Sequence, residues 1–262
     1  MSDPVSLRRR ILGGETVVGT FLNLGSPMAA ELCGKAGFDW LVLDMEHGAL
    51  TEAGLLPILH AVEGTPATAV VRVEEGTRLR IGRALDFGAP ALMVPRVDSA
   101  AHAEQIVRYV RYPPLGTRGV ALPTRGAGYG STTHGDVATA HEETALFIQL
   151  ESAEAAAAAE DIAAIDGVDV LFVGPTDLTH ALGVPGDITA PAYAQAVTAI
   201  GHAARDHGKA AGVLLWALDD LAPYRDAGYT VFAVGSDGGY VASAARGLAA
   251  AFRERIGEPI SG

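Results

Sequence analysis

Short apolar runs recur along the chain, spaced so that one helix fits between each pair. Val17–Leu22, Trp40–Asp44, Thr68–Val73, Ala91–Val94, Ala145–Leu150, Val168–Val173, Ala210–Leu215 and Tyr229–Val234 are nearly continuous in apolar, often β-branched residues. Runs without polar alternation suit strands buried on both faces, as in parallel sheets. Between them lie helix-forming segments at Pro27–Ala36, Thr51–Val62, Thr77–Phe87, Ser99–Val110, Ala153–Ala164, Pro191–His207 and Leu218–Ala227, and Tyr240–Phe252 follows the last strand. Eight strands alternating with eight helices predict an α/β fold, a (β/α)8 TIM barrel forming one domain over residues 1–262. An open doubly wound sheet is the alternative, but no Gly-x-Gly-x-x-Gly follows the first strand.

Chemistry in such a barrel gathers at the C-terminal ends of the strands. Ala145–Leu150 ends in Glu151, and the run to Val173 ends in Gly174-Pro175 with Asp177 just beyond. Parallel strands joined by one helix present these ends on the same side, so Glu151 and Asp177 meet at the barrel mouth. Two carboxylates there suit a hard divalent cation. Equally, Glu151 can cap the Ala-rich helix and Asp177 the short turn at Leu178. Asp44 and His47 follow strand two, Arg72 sits inside apolar strand three, and Gln149 precedes Glu151. Trp216, Ser236 and Asp237 follow strands seven and eight. A charge within an apolar strand requires a polar or anionic partner, either a ligand or an acid such as Asp44. His47 is either a base or an ordinary surface histidine.

Composition narrows the options. A chain of 262 residues, 49% apolar, can bury a large core. Its net charge of −12 argues against nucleic-acid and anionic-membrane partners. The single cysteine, Cys33, leaves no internal disulfide. Arg8-Arg9-Arg10 precedes two apolar residues, but Gly13, Gly14 and Glu15 break the run that a secretion signal needs, so a cytoplasmic location is expected. The two lysines, Lys35 and Lys209, fall at the end of a helix and the start of a strand, away from the catalytic face. No Schiff-base lysine is therefore expected, and a carbonyl substrate calls for a metal and an arginine instead. The irregular segment Arg111–His141 lacks the Gly-Lys-Ser/Thr of a nucleotide loop, so no nucleotide cofactor is expected. A lid or a subunit contact is its reading.

The motifs Gly37-Phe38-Asp39-Trp40, Asp44-Met45-Glu46-His47, Val71-Arg72, Arg111-Tyr112-Pro113-Pro114, Gln149-Leu150-Glu151 and Phe172-Val173-Gly174-Pro175-Thr176-Asp177-Leu178 occur in this order across nearly the whole chain. Together they resemble the HpcH/HpaI aldolase family, the class II, metal-dependent pyruvate aldolases. The resemblance implies that Glu151 and Asp177 bind Mg²⁺, Mn²⁺ or Co²⁺ and that Arg72 stabilises the enolate oxygen. It also implies that His47 is the base, that Asp86 makes it more basic, and that Gln149, Gly174 and Thr176 contact pyruvate. It further implies a homo-oligomer, a hexamer or trimer of dimers, with the last helix exchanged between subunits. Met45, Ala121 and Phe21 depart from the commonest pattern and are expected to shape the aldehyde side.

The reaction expected on that basis is reversible aldol cleavage of a 4-hydroxy-2-oxo acid to pyruvate and an aldehyde. Arg118 and Arg125 are candidate partners for an acidic distal group. Two other readings stand beside it: a citrate-lyase-like acyl-CoA lyase, and a non-catalytic barrel that binds a 2-oxo acid. The first would need a basic surface for CoA, and the second would not need a base.

Overall fold

Successive strand residues point to opposite sides, and here the two sides build two separate cores. Trp40, Val42, Val70, Met93, Phe147, Val170, Phe172 and Val231 fill the barrel interior. Their neighbours in sequence, including Leu41, Leu43, Val71, Leu92, Ile148, Leu171 and Val173, face the surrounding helices. The structure is a computed structural model describing residues 5–257. Its strands are β1 (Val17–Leu22), β2 (Trp40–Asp44), β3 (Thr68–Arg72), β4 (Ala91–Val94), β5 (Ala145–Leu150), β6 (Val170–Val173), β7 (Ala210–Leu215) and β8 (Val231–Ser236). All pair in parallel in chain order and close into a barrel, as the apolar runs predict.

The interior is filled by rings, and small residues make way for them. Trp40, Phe147 and Phe172 stack within 5.5 to 6.4 Å of one another. A Cβ on Gly19 would collide with the Trp40 ring, and one on Gly212 would come within 2.6 Å of Phe172.

The helices are α1 (Leu7–Leu12), α2 (Pro27–Lys35), α3 (Glu52–Glu63), α4 (Arg78–Asp86), α5 (Ala100–Val110), α6 (Ala153–Ala157), α7 (Ala159–Ala163), α8 (Pro175–Ala181), α9 (Pro191–Asp206), α10 (Leu221–Asp226) and α11 (Asp237–Ile256). Some details differ from the pattern reading. The chain before β1 forms α1, whose Leu7 and Ile11, one turn apart, enter the interior core and close the barrel floor. Its arginines fasten it: Arg8 to buried Asp169, Arg9 to Glu143, Arg10 to Glu15 and Asp39. The Ala-rich segment breaks at Ala158 into α6 and α7, both of which keep small or apolar residues on the core. β6 begins at Val170 rather than Val168, because Asp169 turns to Arg8 and to the Leu146 amide.

The long connection from Arg111 to Thr144 does not cover the cavity of its own barrel. It joins the lower end of α5 to the start of β5, and its contacts lie at that end. Arg111 pairs with Asp166 ahead of β6, and Arg125 reaches Glu63 and the Phe87 carbonyl at the ends of α3 and α4. Among the described residues it contributes nothing to the cavity at the opposite face.

α11 behaves unlike the other helices. It rests on β1 and β8, and of its twenty residues only Asp237 is buried. Val241, Leu248, Phe252 and Ile256 stand exposed along it. No described helix is long and apolar enough to cross a membrane.

Candidate active site at the C-terminal ends of the strands

The inward side of each strand carries through from core to chemistry. In β2, Trp40 and Val42 face inward and Asp44 comes next; in β3, Val70 is followed by Arg72. In β5, Phe147 is followed by Gln149 and, just past the strand, Glu151; in β6, Phe172 is followed by Gly174. The same alternation that packs the interior thus delivers polar groups at its rim.

Asp44 and Arg72 are register partners on adjacent strands. Arg72 Nε and Nη2 donate to the two Asp44 oxygens at 2.9 and 2.7 Å, a two-pronged pair that is buried on both sides. Asn23, just beyond β1, donates to Asp44 Oδ2 at 3.2 Å. The backbone amides of Glu46 and His47 donate to Asp44 Oδ1 at 3.1 and 3.2 Å. One carboxylate therefore orients the arginine and shapes the turn that carries the histidine. The guanidinium also lies 5.0 Å from the Phe21 ring and 3.2 Å from Glu46 Oε2. The His47 side chain is 64% exposed, with Nε2 at 3.8 Å from Glu46 Oε1.

Across the mouth, Gln149 Nε2 donates to Glu151 Oε1 at 2.8 Å, and the Arg96 amide donates to Glu151 Oε2 at 3.2 Å. Gly174 lies so close that a Cβ there would stand 2.6 Å from Glu151 Oε1. Burial, reinforced by the charges of Glu46 and Asp177, pushes the Glu151 carboxyl up to about 7, against the pull of the Arg96 amide and Arg72. Glu46 is also raised, by burial first and then by Asp44 and Asp177, with Arg72 and His47 opposing. Asp177 stands in the first turn of α8, set there by Pro175 at its start.

These groups line one cavity of about 670 Å³. His47, Arg72, Gln149, Glu151, Gly174, Thr176 and Asp177 all contribute to its wall. Its other side is formed by Phe21, Leu214, Trp216 and Ser236.

The donor set fits a hard divalent ion. Gln149 Oε1 is buried without a hydrogen-bond partner, and the mutual repulsion of the carboxylates is what a cation would relieve. Among the described residues no group of three or more His, Cys, Asp or Glu forms a closed cage. Two carboxylates with the remaining positions left to water and substrate oxygens match Mg²⁺-type ligation.

The HpcH/HpaI aldolase/citrate lyase family model matches residues 18–244. The chain belongs to this family. It is 38% identical to a 5-keto-4-deoxy-D-glucarate aldolase of Klebsiella pneumoniae, covering 96% of this chain and 98% of the relative. It is 40% identical to a hydroxypyruvate/pyruvate aldolase of Pseudomonas aeruginosa, covering 97% and 95%. A crystal structure of an HpcH/HpaI aldolase/citrate lyase family protein from Burkholderia cenocepacia superposes with a TM-score of 0.90 at 36% identity, covering 95% of this chain and 100% of that one. As an HpcH/HpaI enzyme with aldolases among its relatives, the protein is a carbon–carbon lyase.

Within the HpcH/HpaI barrel, several anticipated residues lie elsewhere. Asp86 ends α4 and so sits toward the opposite end of the barrel, where Arg118 reaches it at 3.3 Å. Arg118 is buried over the Tyr112 ring, and Arg125 is held by Glu63 and Phe87, so neither lines the cavity. Of the three departures from the family pattern, Phe21 borders the cavity, whereas Met45 packs between α3 and α4 and Ala121 lies in the lower connection. Asp237 is buried and accepts the amides of Asn23, Leu24 and Gly238. Lys35 pairs with Glu31 on α2, and Lys209 precedes β7 near Asp166. Asn23 and Leu214 line the cavity but were not singled out from the sequence. Asn23 had a usable signal, its place just past β1.

Proposed function

We propose that this enzyme carries out reversible, divalent-metal-dependent aldol cleavage of a 4-hydroxy-2-oxo acid to pyruvate and an aldehyde. The observation that carries the reading is the meeting, in one cavity, of Arg72 fixed by Asp44 with the acid pair Glu151 and Asp177. The two relatives named above, a 5-keto-4-deoxy-D-glucarate aldolase and a hydroxypyruvate/pyruvate aldolase, support a 2-oxo acid as substrate.

Glu151 and Asp177 would hold Mg²⁺, Mn²⁺ or Co²⁺, which supplies Lewis-acid polarisation of the 2-oxo group. The chain's own residues do the rest. Arg72, locked in one rotamer by its two bonds to Asp44, presents fixed positive charge where charge gathers on the C2 oxygen as the C3–C4 bond breaks. His47, half-open to the cavity, takes the proton of the C4 hydroxyl. The second N–H of Gln149 Nε2, the first being given to Glu151, and the first-turn amides of α8 at Thr176 and Asp177, which helix geometry leaves without intrahelical partners, bind the pyruvate end beside Gly174. Leu214, Trp216 and Phe21 form an apolar wall for the aldehyde.

The exposed apolar side of α11 supports a homo-oligomer, a hexamer built as a trimer of dimers, in which this helix packs on a neighbour. Asp86, at the far end of its own barrel, acts on His47 only if a neighbouring copy presents it. A cytoplasmic location completes the reading.

Pyruvate release from a panel of 4-hydroxy-2-oxo acids, with and without chelator, tests the function. Chelator-sensitive release and metal-dependent exchange of pyruvate C3 protons in deuterated buffer are expected. Absence of both in metal-loaded protein would overturn it.

A further inference from the structure

Arg96 has a φ of 55°, and besides Tyr129 it is the only non-glycine among the described residues on the positive side. A side chain in that region is strained, and such strain persists where the surroundings over-determine it. Arg96 lies in the short connection between β4 and α5, at the same face as the cavity. Around it the connection grips the end of β5 residue by residue. The Val97 amide donates to the Gln149 carbonyl at 3.3 Å, the Arg96 amide to Glu151 Oε2 at 3.2 Å, and Ser152 Oγ to Asp98 Oδ1 at 2.5 Å. The left-handed turn at residue 96 lets adjacent amides reach both Gln149 and Glu151.

Glu151 is thereby held on three sides. Its Oε1 receives the Gln149 amide, its Oε2 receives the Arg96 amide, and Gly174 leaves room only for the carboxylate itself. We propose that Arg96 is a positioning residue, whose left-handed backbone aims its N–H at Glu151 Oε2 and so fixes the carboxylate that meets the metal ion. This rests on the metal-dependent reading above. An unrestrained carboxylate rotates about its last bond and must be ordered when the ion arrives. Donors on both oxygens order it beforehand, as partners behind metal ligands commonly do. The role belongs to the backbone, and the exposed guanidinium takes no part in it.

Glycine adopts the same φ without strain, proline removes the N–H and imposes a negative φ, and valine keeps the N–H but resists the turn. Mn²⁺ binding to metal-free protein, followed by electron paramagnetic resonance, reads the carboxylate independently of turnover. Arg96→Gly is expected to bind Mn²⁺ within about threefold of wild type with an equal or higher Tm, Arg96→Pro at least about tenfold more weakly, and Arg96→Val in between. Folded Arg96→Pro with wild-type Mn²⁺ affinity overturns the proposal, as does equal weakening in the glycine and proline variants, which would assign the effect to the guanidinium. If the proline variant does not fold, the valine variant decides, with unchanged affinity counting against. Wild-type protein that takes up no Mn²⁺ removes the metal reading itself, and this inference with it.

Discussion

Asp44 and Arg72 sit side by side in the register of β2 and β3, and the aspartate holds more than the arginine. While its two oxygens take the fork of the guanidinium, Oδ1 also accepts the amides of Glu46 and His47. The cation and the histidine of the site thus share one anchor. A buried pair of this kind contributes little net stability over an apolar filling, yet breaking it is costly because one charge is left behind.

Asp44→Asn should therefore damage both fold and turnover. Glu46, 3.2 Å from Arg72, offsets part of the stranded charge, so the loss should fall at the lower end, about 3 kcal/mol. Urea unfolding measures that loss. In the same variant Mn²⁺ affinity should stay within about threefold, because Glu151 and Asp177 receive nothing from Asp44.

Arg72→Lys tests whether shape or charge matters at the site. Lysine keeps the charge but cannot engage Asp44 with two parallel bonds, so its ammonium is not held in place. Turnover should drop on the order of 10²-fold in metal-saturated protein, close to the loss in Arg72→Ala. Steady-state pyruvate release gives the comparison. A lysine variant with near-normal kcat would show that fixed geometry is unimportant here.

The barrel was readable because its strands are buried on both faces and therefore apolar throughout, and the rim residues because they terminate those runs. Glu151, Asp177, Arg72 and His47 all fall into one cavity for that reason. Other features depend on contacts that a linear pattern does not show. The Leu7–Ile11 pair of α1 is hidden among three arginines, and their partners Asp169, Glu143 and Asp39 are distant in the chain. Arg96 carries no glycine or asparagine signal for a positive φ. The position of Asp86 follows from helix direction alone, since a residue that ends a barrel helix lies away from the catalytic face.

Gly174→Ala should act on Glu151 through sheer lack of room. The added Cβ would lie 2.6 Å from Oε1 and 2.9 Å from the Glu151 Cγ, so the carboxylate must swing out. Mn²⁺ affinity should fall about 10- to 100-fold, the usual effect of disturbing a residue behind a metal ligand. Calorimetric titration checks this, and a change below threefold would mean that the rim yields instead.

Arg8→Ala should loosen the barrel floor, and the loss should depend on pH. Burial raises the Asp169 carboxyl, while Arg8 and the Leu146 amide pull it down. A folded-state value above the unfolded one means that stability is lost as pH rises through it. Without Arg8 the carboxyl is raised further, so the variant should lose more stability than wild type between pH 5 and pH 8, the direction in which a raised carboxyl gives up its proton and needs the counter-charge. Parallel urea melts at the two pH values compare the variant with wild type.

Glu151 should set the pH window for the proposed metal binding. Its carboxyl stands at about 7 in the metal-free fold, above the value of about 4.3 for an unperturbed glutamate. Metal-free protein should thus lose stability as pH rises from about 4 to about 7 and then level off, and Glu151→Gln should flatten that slope. Metal binding runs the other way, because the ligand must first give up its proton. With half of Glu151 ionised near pH 7, the apparent Kd for Mn²⁺ should weaken about tenfold from pH 8 to pH 6 and about tenfold again by pH 5. Titrations at those three pH values measure it. A Kd constant across them would mean that Glu151 is already ionised at pH 5, and that the Arg96 amide and Arg72 outweigh burial and the neighbouring acids.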